Sequence, residues 1–590
     1  MALGVDTEVL VVGAGLTGAS TALLLARHGV DTLAISQTHW VADSPRAHII
    51  NQRTMEVMRA VGLEEACYQQ AAPGELMANH VMMTAVAGRE FGRMWTWGND
   101  PARLGEYAAA SPGRGCDLPQ HRFEPILVGE AQRLGATVRF DTRFLTLEQD
   151  EDGVTTVLED LVSGEQLQVR SRYVVGADGG QSRVADAVGL PLVGTQGLAP
   201  ALNVRFSADL SRHVAHRPGS LYWILQPDRP ENLGNAMLRM VRPWDDWVIG
   251  FVHLGASVAD LSTAQVEQHV RDIIQDDTID VRVTGVFPWR INHVIAERYQ
   301  AGRVLCAGDA VHRHPPMNGL GGNTCIQDAF NLAWKLAAVL RWGAGERLLE
   351  TYSDERQPVG RKVVDRAIAS WRQNPEVVQA LGIDPSAAPE VREAQFAELF
   401  ADTDAGEQRR AAFERAKRSK VYSYHAHGVE MNQVYASAAV IDDGAAPLHY
   451  ERDPELYYQA SSRPGSRVPH CWVGVDGRTR STLDLAEPER FTLLARNRGA
   501  AWLGAAAKVG AELGVPLSAV RIGPGCEVAD LYGAWAELSE TAESGCVLVR
   551  PDQHVAWRSV EAPADPTEDL RRVIRRCLAL EPDGTTGANR

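Results

Sequence analysis

No run of about 18 apolar residues occurs in the chain, so no segment is expected to cross a bilayer as a helix. The opening MALGVDTEVLVVGAG lacks the regions of a secretory signal and passes straight into a strand, which predicts a cytoplasmic protein with no membrane partner. Positive charge is in short supply: 59 Lys and Arg against 75 Asp and Glu give a net charge of −16. Without a basic patch of the density that a phosphate backbone demands, nucleic acid is excluded as a partner. The eight cysteines, at positions 67, 116, 306, 325, 471, 526, 546 and 577, form no Cys-x-x-Cys pair and no His–Cys cluster at metal-ligand spacing. Reduced thiols and no metal site are therefore expected. Internal repeats and low-complexity tracts are missing as well.

What the chain does have is length, and glycine in particular places. Its 590 residues exceed one ordinary domain and predict three or four compact units. An apolar strand at 9–12 ends in Gly13, Gly15 and Gly18, a Gly-x-Gly-x-x-Gly turn that continues into a helix at 19–28. In that context Gly13 makes the turn, Gly15 admits a dinucleotide pyrophosphate to the helix start at Leu16 and Thr17, and Gly18 packs helix on strand. The second strand, at 32–35, should deliver an acid to an adenosine ribose, yet it ends in the neutral Ser36 and Gln37.

The chain is organised around 302–335, GRVLCAGDAVHRHPPMNGLGGNTCIQDAFNLAWK. A short strand at 304–307 leads through an acidic turn at Asp309 and the stiff pair Pro315 and Pro316 into a loop carrying Gly319, Gly321 and Gly322. The helix that follows repeats Ile326, Ala329, Phe330, Ala333, Leu336, Ala337 and Leu340 at helical spacing, with Leu332 and Val339 between, and is therefore predicted to be buried nearly all round. Its N-terminus is a positive pole whose bare backbone, through Asn323, suits an anion or a ring that becomes anionic. A strand at 173–177 ends in a similar turn, with Asp178 and Gly179 ahead of Ser182 and Arg183. Arg46 and His48 occupy a loop before an amphipathic helix on which Arg53 and Glu56 can pair locally. Gln120 leads into a further helix at 124–134.

Taken together, these segments resemble the FAD-dependent aromatic hydroxylases, the flavoprotein monooxygenases of the para-hydroxybenzoate hydroxylase fold, over about residues 5–450. PRAHIINQRTMEVM, CDLPQHRFEPIL and RYQAGRVLCAGDAVHRHPP are most similar to its phenol hydroxylase branch, including the 2,4-dichlorophenol 6-monooxygenases. The resemblance implies an α/β architecture: a Rossmann-like FAD-binding domain (1–75, 110–196 and 290–375) with an inserted antiparallel substrate sheet (76–109 and 197–289). A helical connector (376–449) and a thioredoxin-like C-terminal domain (450–590) complete it. It also implies that the first glycine turn holds the ADP part of FAD, that Asp178 and Gly179 contact FAD and NAD(P)H, and that Asp309 takes the ribityl chain. Gln120 and Arg46 would reach the flavin. NADPH or NADH, O2 and a small phenol would be the reactants, and a homodimer the assembly. Arg46, Arg183 and Arg290 are the cations available to NAD(P)H, with no second Gly-x-Gly-x-x-Gly to choose between the two forms.

The implied reaction runs through a flavin C4a-hydroperoxide attacked by a ring carbon ortho or para to the phenol oxygen, ortho being the expected site. Water must stay out and the phenol must give up its proton. His48 stands where phenol branches often carry an aspartate. A neutral imidazole, near 6.5 against about 10 for a phenol, falls short by about 3.5 units, roughly 5 kcal/mol. His48 is therefore either a base that shares the proton or a histidine bonded to backbone. Pro316 would wall the oxygen adduct. The sheet, with strand-like runs such as 79–85, 220–225, 236–241 and 246–254, offers Tyr222, Trp223, Met237, His253, Phe287 and Trp289 over 76–109 and 197–289, each either substrate wall or plain core. Helices at 371–420 read as solvated, and 435–441 as a strand. In the C-terminal domain the nearest cysteine pairing, Cys526 and Cys546, is no dithiol site, so that domain is assigned structure or dimerisation.

Overall fold

Four parallel strands that end level with one another set the geometry of the N-terminal half. In the computed structural model, which describes residues 6–229, 236–252 and 261–580, Thr7–Val12 lies between Gln166–Gly176 and Thr32–Ile35. Its last residue, Val12, pairs with Gly176 on one side and Ile35 on the other, and Gly176 pairs with Cys306 of Val304–Cys306. The residues that follow these ends are the glycine turn at Gly13, Asp178 and Asp309. Apolar, β-branched runs such as TEVLVV form the strands because both faces are covered. Helix Leu16–Arg27 and helix Gly321–Arg341 pack on the sheet, and the latter buries 17 of its 21 residues.

A second sheet of eight strands stands beside the first, in the order 312–313, 282–296, 192–207, 246–252, 236–242, 221–224, 79–83, 90–95. Its two long strands, Leu192–Ser207 and Arg282–Ala296, run through the boundaries expected at 196/197 and 289/290. The ribbon they form changes register between Thr195 and Ala199. An irregularity of this kind bends a strand, and here it lies where the pair passes from one unit to the other. One face of this sheet is filled by Tyr222, Trp247, Ile249 and the helix Thr263–Ile274.

The helices after residue 371 correct the sequence reading. Asn374–Ala380, Pro389–Ala397 and Asp404–Ser419 are charged outside but bury Val377, Leu381, Phe396, Leu399 and Phe413 against Met82, Trp223 and Leu225 of the sheet. Composition averaged over both faces had hidden the apolar stripe. The segment 435–441 is not a strand: Tyr435 and Ile441 each donate one backbone hydrogen bond, to Gly465 and Ala556, and the chain turns between them.

The last unit pairs Leu517–Ile522 parallel with Phe491–Arg496, which pairs antiparallel with Cys546–Val549 and that with Val555–Ser559. Helices Ala500–Leu513 and Pro566–Cys577 lie against it. All eight cysteines are free thiols. This unit docks on the first domain through Phe491, edge-on to Trp334 at 5.8 Å, and through a fully buried ion cluster. Glu355 accepts from both terminal nitrogens of Arg550 (2.6 and 2.8 Å), from Lys335 (2.7 Å) and from Asn331 (2.7 Å). Burial alone would raise the pKa of Glu355, but Arg550 and Lys335 hold it well below the carboxylate range. Burial pushes Lys335 down to about 8.

Removing one partner from such a cluster leaves charges buried and uncompensated. Arg550→Met should cost about 3–5 kcal/mol, read as a lower urea midpoint, whereas an unchanged midpoint would show that the cluster is a bystander.

Candidate active site

A cleft of about 2460 Å3 opens over the level strand ends, between the two sheets. Gly13 has φ +106°, and a Cβ there would lie 2.3 Å from the carbonyl oxygen of Ala177, so the turn needs glycine. Helix Leu16–Arg27 begins at Gly15 with no side-chain cap and no acidic residue in its first turn, which leaves peptide N–H groups for an anion. Gly15, Leu16 and Thr17 line the cleft. Gly18 does not. A Cβ on it would fall 1.7 Å from the Gly13 carbonyl oxygen, so its bare backbone lets the helix close on the turn.

Ser36 and Gln37 line the far end, where the Ser36 hydroxyl is 2.8 Å from that of Thr38. Gln120 lines the middle: its backbone N–H donates to the Arg46 carbonyl and its amide to Glu124 at 2.6 Å. Glu124, missed from the sequence, is buried in the same wall, accepts from Ala42 N–H at 2.7 Å, and has its pKa raised by burial. Asp178 and Gly179 face the cleft from the next strand end, with an Asp178 oxygen accepting from the Val184 N–H. Burial raises its pKa. Asp309, Pro316, Gly319 and Gly321 complete this side, as do the cations Arg46 and Arg183, while Arg290 lines the cleft from strand Arg282–Ala296.

The helix start is built for close packing. A Cβ on Gly322 would sit 3.0 Å from that of Ala47, and one on Gly319, at φ +66°, 3.0 Å from Ile49. Asn323, expected to face a cofactor, does not reach the cleft. Its amide accepts from Asn51 N–H (2.9 Å) and donates to the Ile49 carbonyl (2.8 Å), clamping the strand after His48 to the helix.

His48 lines the cleft and is bonded to a side chain, not to backbone: its Nδ1 is 2.9 Å from Oδ1 of buried Asp117. The pair exists because Ile49–Ile50 and Cys116–Asp117 run antiparallel, with Ile49 opposite Asp117. A carboxylate at Nδ1 fixes the tautomer that leaves Nε2 as acceptor. Burial, then the cation of Arg239, lowers the His48 pKa, with Asp117 opposing. Asp117 stood in the sequence only as a helix preface, because pairing across 69 positions leaves no local signal.

Across the cleft, Met237, Phe287 and Trp289 line the sheet wall. The Trp289 indole donates to Asn203 at 3.1 Å. Tyr222 and Trp223 are corrected. Tyr222 points to the opposite face, into the core with Trp247, and Trp223 shares the cleft-side face but is roofed by the helices after residue 373. His253 lies outside the described residues. Among the described residues, no helix is long and apolar enough to cross a membrane.

Comparison with known proteins agrees with this architecture. Residues 6–367 match the family described as FAD binding domain, and residues 461–579 the aromatic-ring hydroxylase C-terminal family. The chain is 46% identical over 578 residues to a 2,4-dichlorophenol 6-monooxygenase of Delftia acidovorans, covering 98% of this chain and 99% of the relative. It is 40% identical to a phenol 2-monooxygenase of Pseudomonas sp. (strain EST1001), covering 97% and 93%. Among solved structures it is similar to the flavin-dependent monooxygenase PieE in complex with FAD and substrate, with a TM-score of 0.93, 43% identity, and 98% and 100% coverage.

The steric reading of the first turn is testable. Gly18→Ala, whose methyl would overlap the Gly13 carbonyl, is expected to give folded protein that no longer retains FAD through gel filtration, and a variant that kept its full flavin absorbance would contradict that reading.

Proposed function

The chain belongs to the family of FAD-dependent aromatic-ring hydroxylases and is an FAD-dependent monooxygenase; from that premise we propose that it hydroxylates a phenolic ring ortho to its oxygen, with NADPH or NADH as reductant. The observation that carries this reading is the His48–Asp117 pair at 2.9 Å facing the sheet wall across the glycine-rich strand ends. The residues fit the cofactor. The uncapped helix start and the bare turn suit a pyrophosphate, so Gly13, Gly15, Leu16 and Thr17 would hold it, Gly18 shaping the turn. Ser36 and Gln37 would take the adenosine ribose, Gln120, Asp178, Gly179 and Asp309 the middle of the molecule, and Arg46, Pro316, Gly319, Gly321 and Gly322 the ring end. FAD, when bound, supplies the electron transfer and oxygen activation that side chains cannot.

The protein's own part is positioning and proton transfer. Asp117 orients His48 so that Nε2 takes the phenol proton and the imidazolium that forms is stabilised by the carboxylate. Phe287, Trp289, Met237 and Val248 give the ring an apolar wall, while the stiff Pro316 closes the opposite side and limits water. The cleft extends beyond what one ring requires, past Met237 to Pro375, Val378, Ile383 and Pro385. That extent favours a second reading, a phenol carrying a long apolar substituent or fused rings, acted on in secondary metabolism. The C-terminal unit we read as thioredoxin-like on its strand order, serving structure and homodimer assembly rather than redox chemistry, in a cytoplasmic protein.

Purified protein should carry a flavin spectrum and oxidise NADPH or NADH faster when phenols are present; oxidation indifferent to every phenol, small or extended, would refute the reading. His48→Ala should slow hydroxylation by about a hundredfold or more and divert oxygen to H2O2. Because burial keeps His48 neutral below its ordinary range near 6.5, the acid limb of the wild-type rate should lie below pH 6.5. A limb at or above that pH would assign the proton to another group.

A further inference from the structure

Arg239 is a cation in the cleft wall that none of the described residues pairs with. It sits on strand Ala236–Arg242, between Leu221 and Val248 of the neighbouring strands. All three line the cleft. Among the described residues its guanidinium makes no hydrogen bond or ion pair, and its Nε is shut off from solvent without a partner. Arg205 of the same sheet, by contrast, forms a two-pronged pair with Asp246, at 3.1 and 2.7 Å. An arginine flanked by leucine and valine, with no anion in contact, is costly to retain unless a ligand completes it.

We propose that Arg239 is the counter-cation of the substrate's phenolate, sharing with His48 the task of ionising the phenol. This rests on the phenol reading above and deepens it. The O–H bond of the phenol breaks, its proton passes to Nε2 of His48, and the electron pair stays on the phenol oxygen. The new imidazolium lies against Asp117 and the new phenolate against Arg239, so two neutral groups become two ions, each facing an opposite charge already in place. The division of labour answers a deficit. His48 is too weak a base to ionise an ordinary phenol, and burial together with Arg239 weakens it further. Lowering the acidity constant of the phenol is the remaining route, and an opposite charge within about 4–6 Å lowers such a pKa by roughly one to three units. Burial brings Arg239 itself down to about 10, so it stays charged at neutral pH. The groups whose charge bears on it are Asp117 with its His48 partner, Asp246, Arg205 and, across from it, His121.

Flavin-loaded wild type, Arg239→Met and Arg239→Lys are titrated with 4-nitrophenol across pH, following its phenolate absorbance. Wild type should bind it as the phenolate at pH values where the free compound is still protonated. Arg239→Met should lose that shift, by roughly one to three units, and Arg239→Lys should keep part of it. Hydroxylation by Arg239→Met should fall most for the least acidic phenols. A bound 4-nitrophenol that ionises alike in wild type and Arg239→Met, or a rate loss uniform across phenols, overturns the role of Arg239. Lost affinity confined to carboxylated phenols does the same and moves the guanidinium to a ring substituent. Wild type that responds to no phenol at any pH defeats instead the phenol reading on which the inference stands.

Discussion

The structure depends on a register: Val12, Gly176 and Cys306 end side by side. One residue past that line Gly13, Ala177 and Ala307 still donate N–H bonds to the neighbouring strand, and beyond them the three turns open onto the cleft. The same line explains why three motifs separated by well over a hundred residues share one cleft, as ligand sites do at the carboxyl ends of parallel strands. Each turn then meets the constraint in its own way, with bare glycine at Gly13, a carboxylate that caps the next helix at Asp178, and an acid open to the cleft at Asp309.

The loop that carries Arg46 and His48 could not hold its geometry alone. Asn323 fixes the strand at Ile49 from the start of helix Gly321–Arg341. The helix that follows, Gln52–Ala60, is held from the C-terminal unit: Arg53 donates to Gln553 (2.9 Å) and to the Asp552 carbonyl (2.8 Å), and Glu56 pairs with Arg467. Asp552 in turn shares Arg550 with Glu355. A unit without a redox dithiol thus has a physical role, as a brace that reaches the site through buried ion pairs. Such a brace is exacting because a half-paired buried ion is worse than none.

What could be read beforehand follows the range of the signal. The glycine turns, the strand before each acid and the long apolar helix are local patterns, and they lie where periodicity and turn chemistry put them. Arg53 and Glu56 were legible as a helix pair, but not as the inner end of a network whose outer members lie some 500 positions away. In the sheet, alternation identified strands and left the faces ambiguous. Tyr222 and Trp223, adjacent and aromatic, must point oppositely. Only the roof formed by Val377, Leu381 and Phe413 reveals that the cleft-side member is covered too.

The site residues that escaped the sequence share a feature: each is ordinary alone. Asp117 matters because a two-strand bridge sets it opposite Ile49, and Arg239 because the acids whose charge bears on it, Asp117 and Asp246, bond to His48 and Arg205. Joined across the cleft, Asp117, His48 and Arg239 carry no net charge while the substrate is neutral. Proton transfer within the cleft preserves that sum, so the apolar surroundings oppose the separation of charge far less than they would a single unpaired ion. A site dry enough to protect activated oxygen would ordinarily resist making a phenolate. Placing a fixed anion behind the base and a fixed cation behind the acid reconciles the two demands, since both charges are supplied by folding before the substrate arrives.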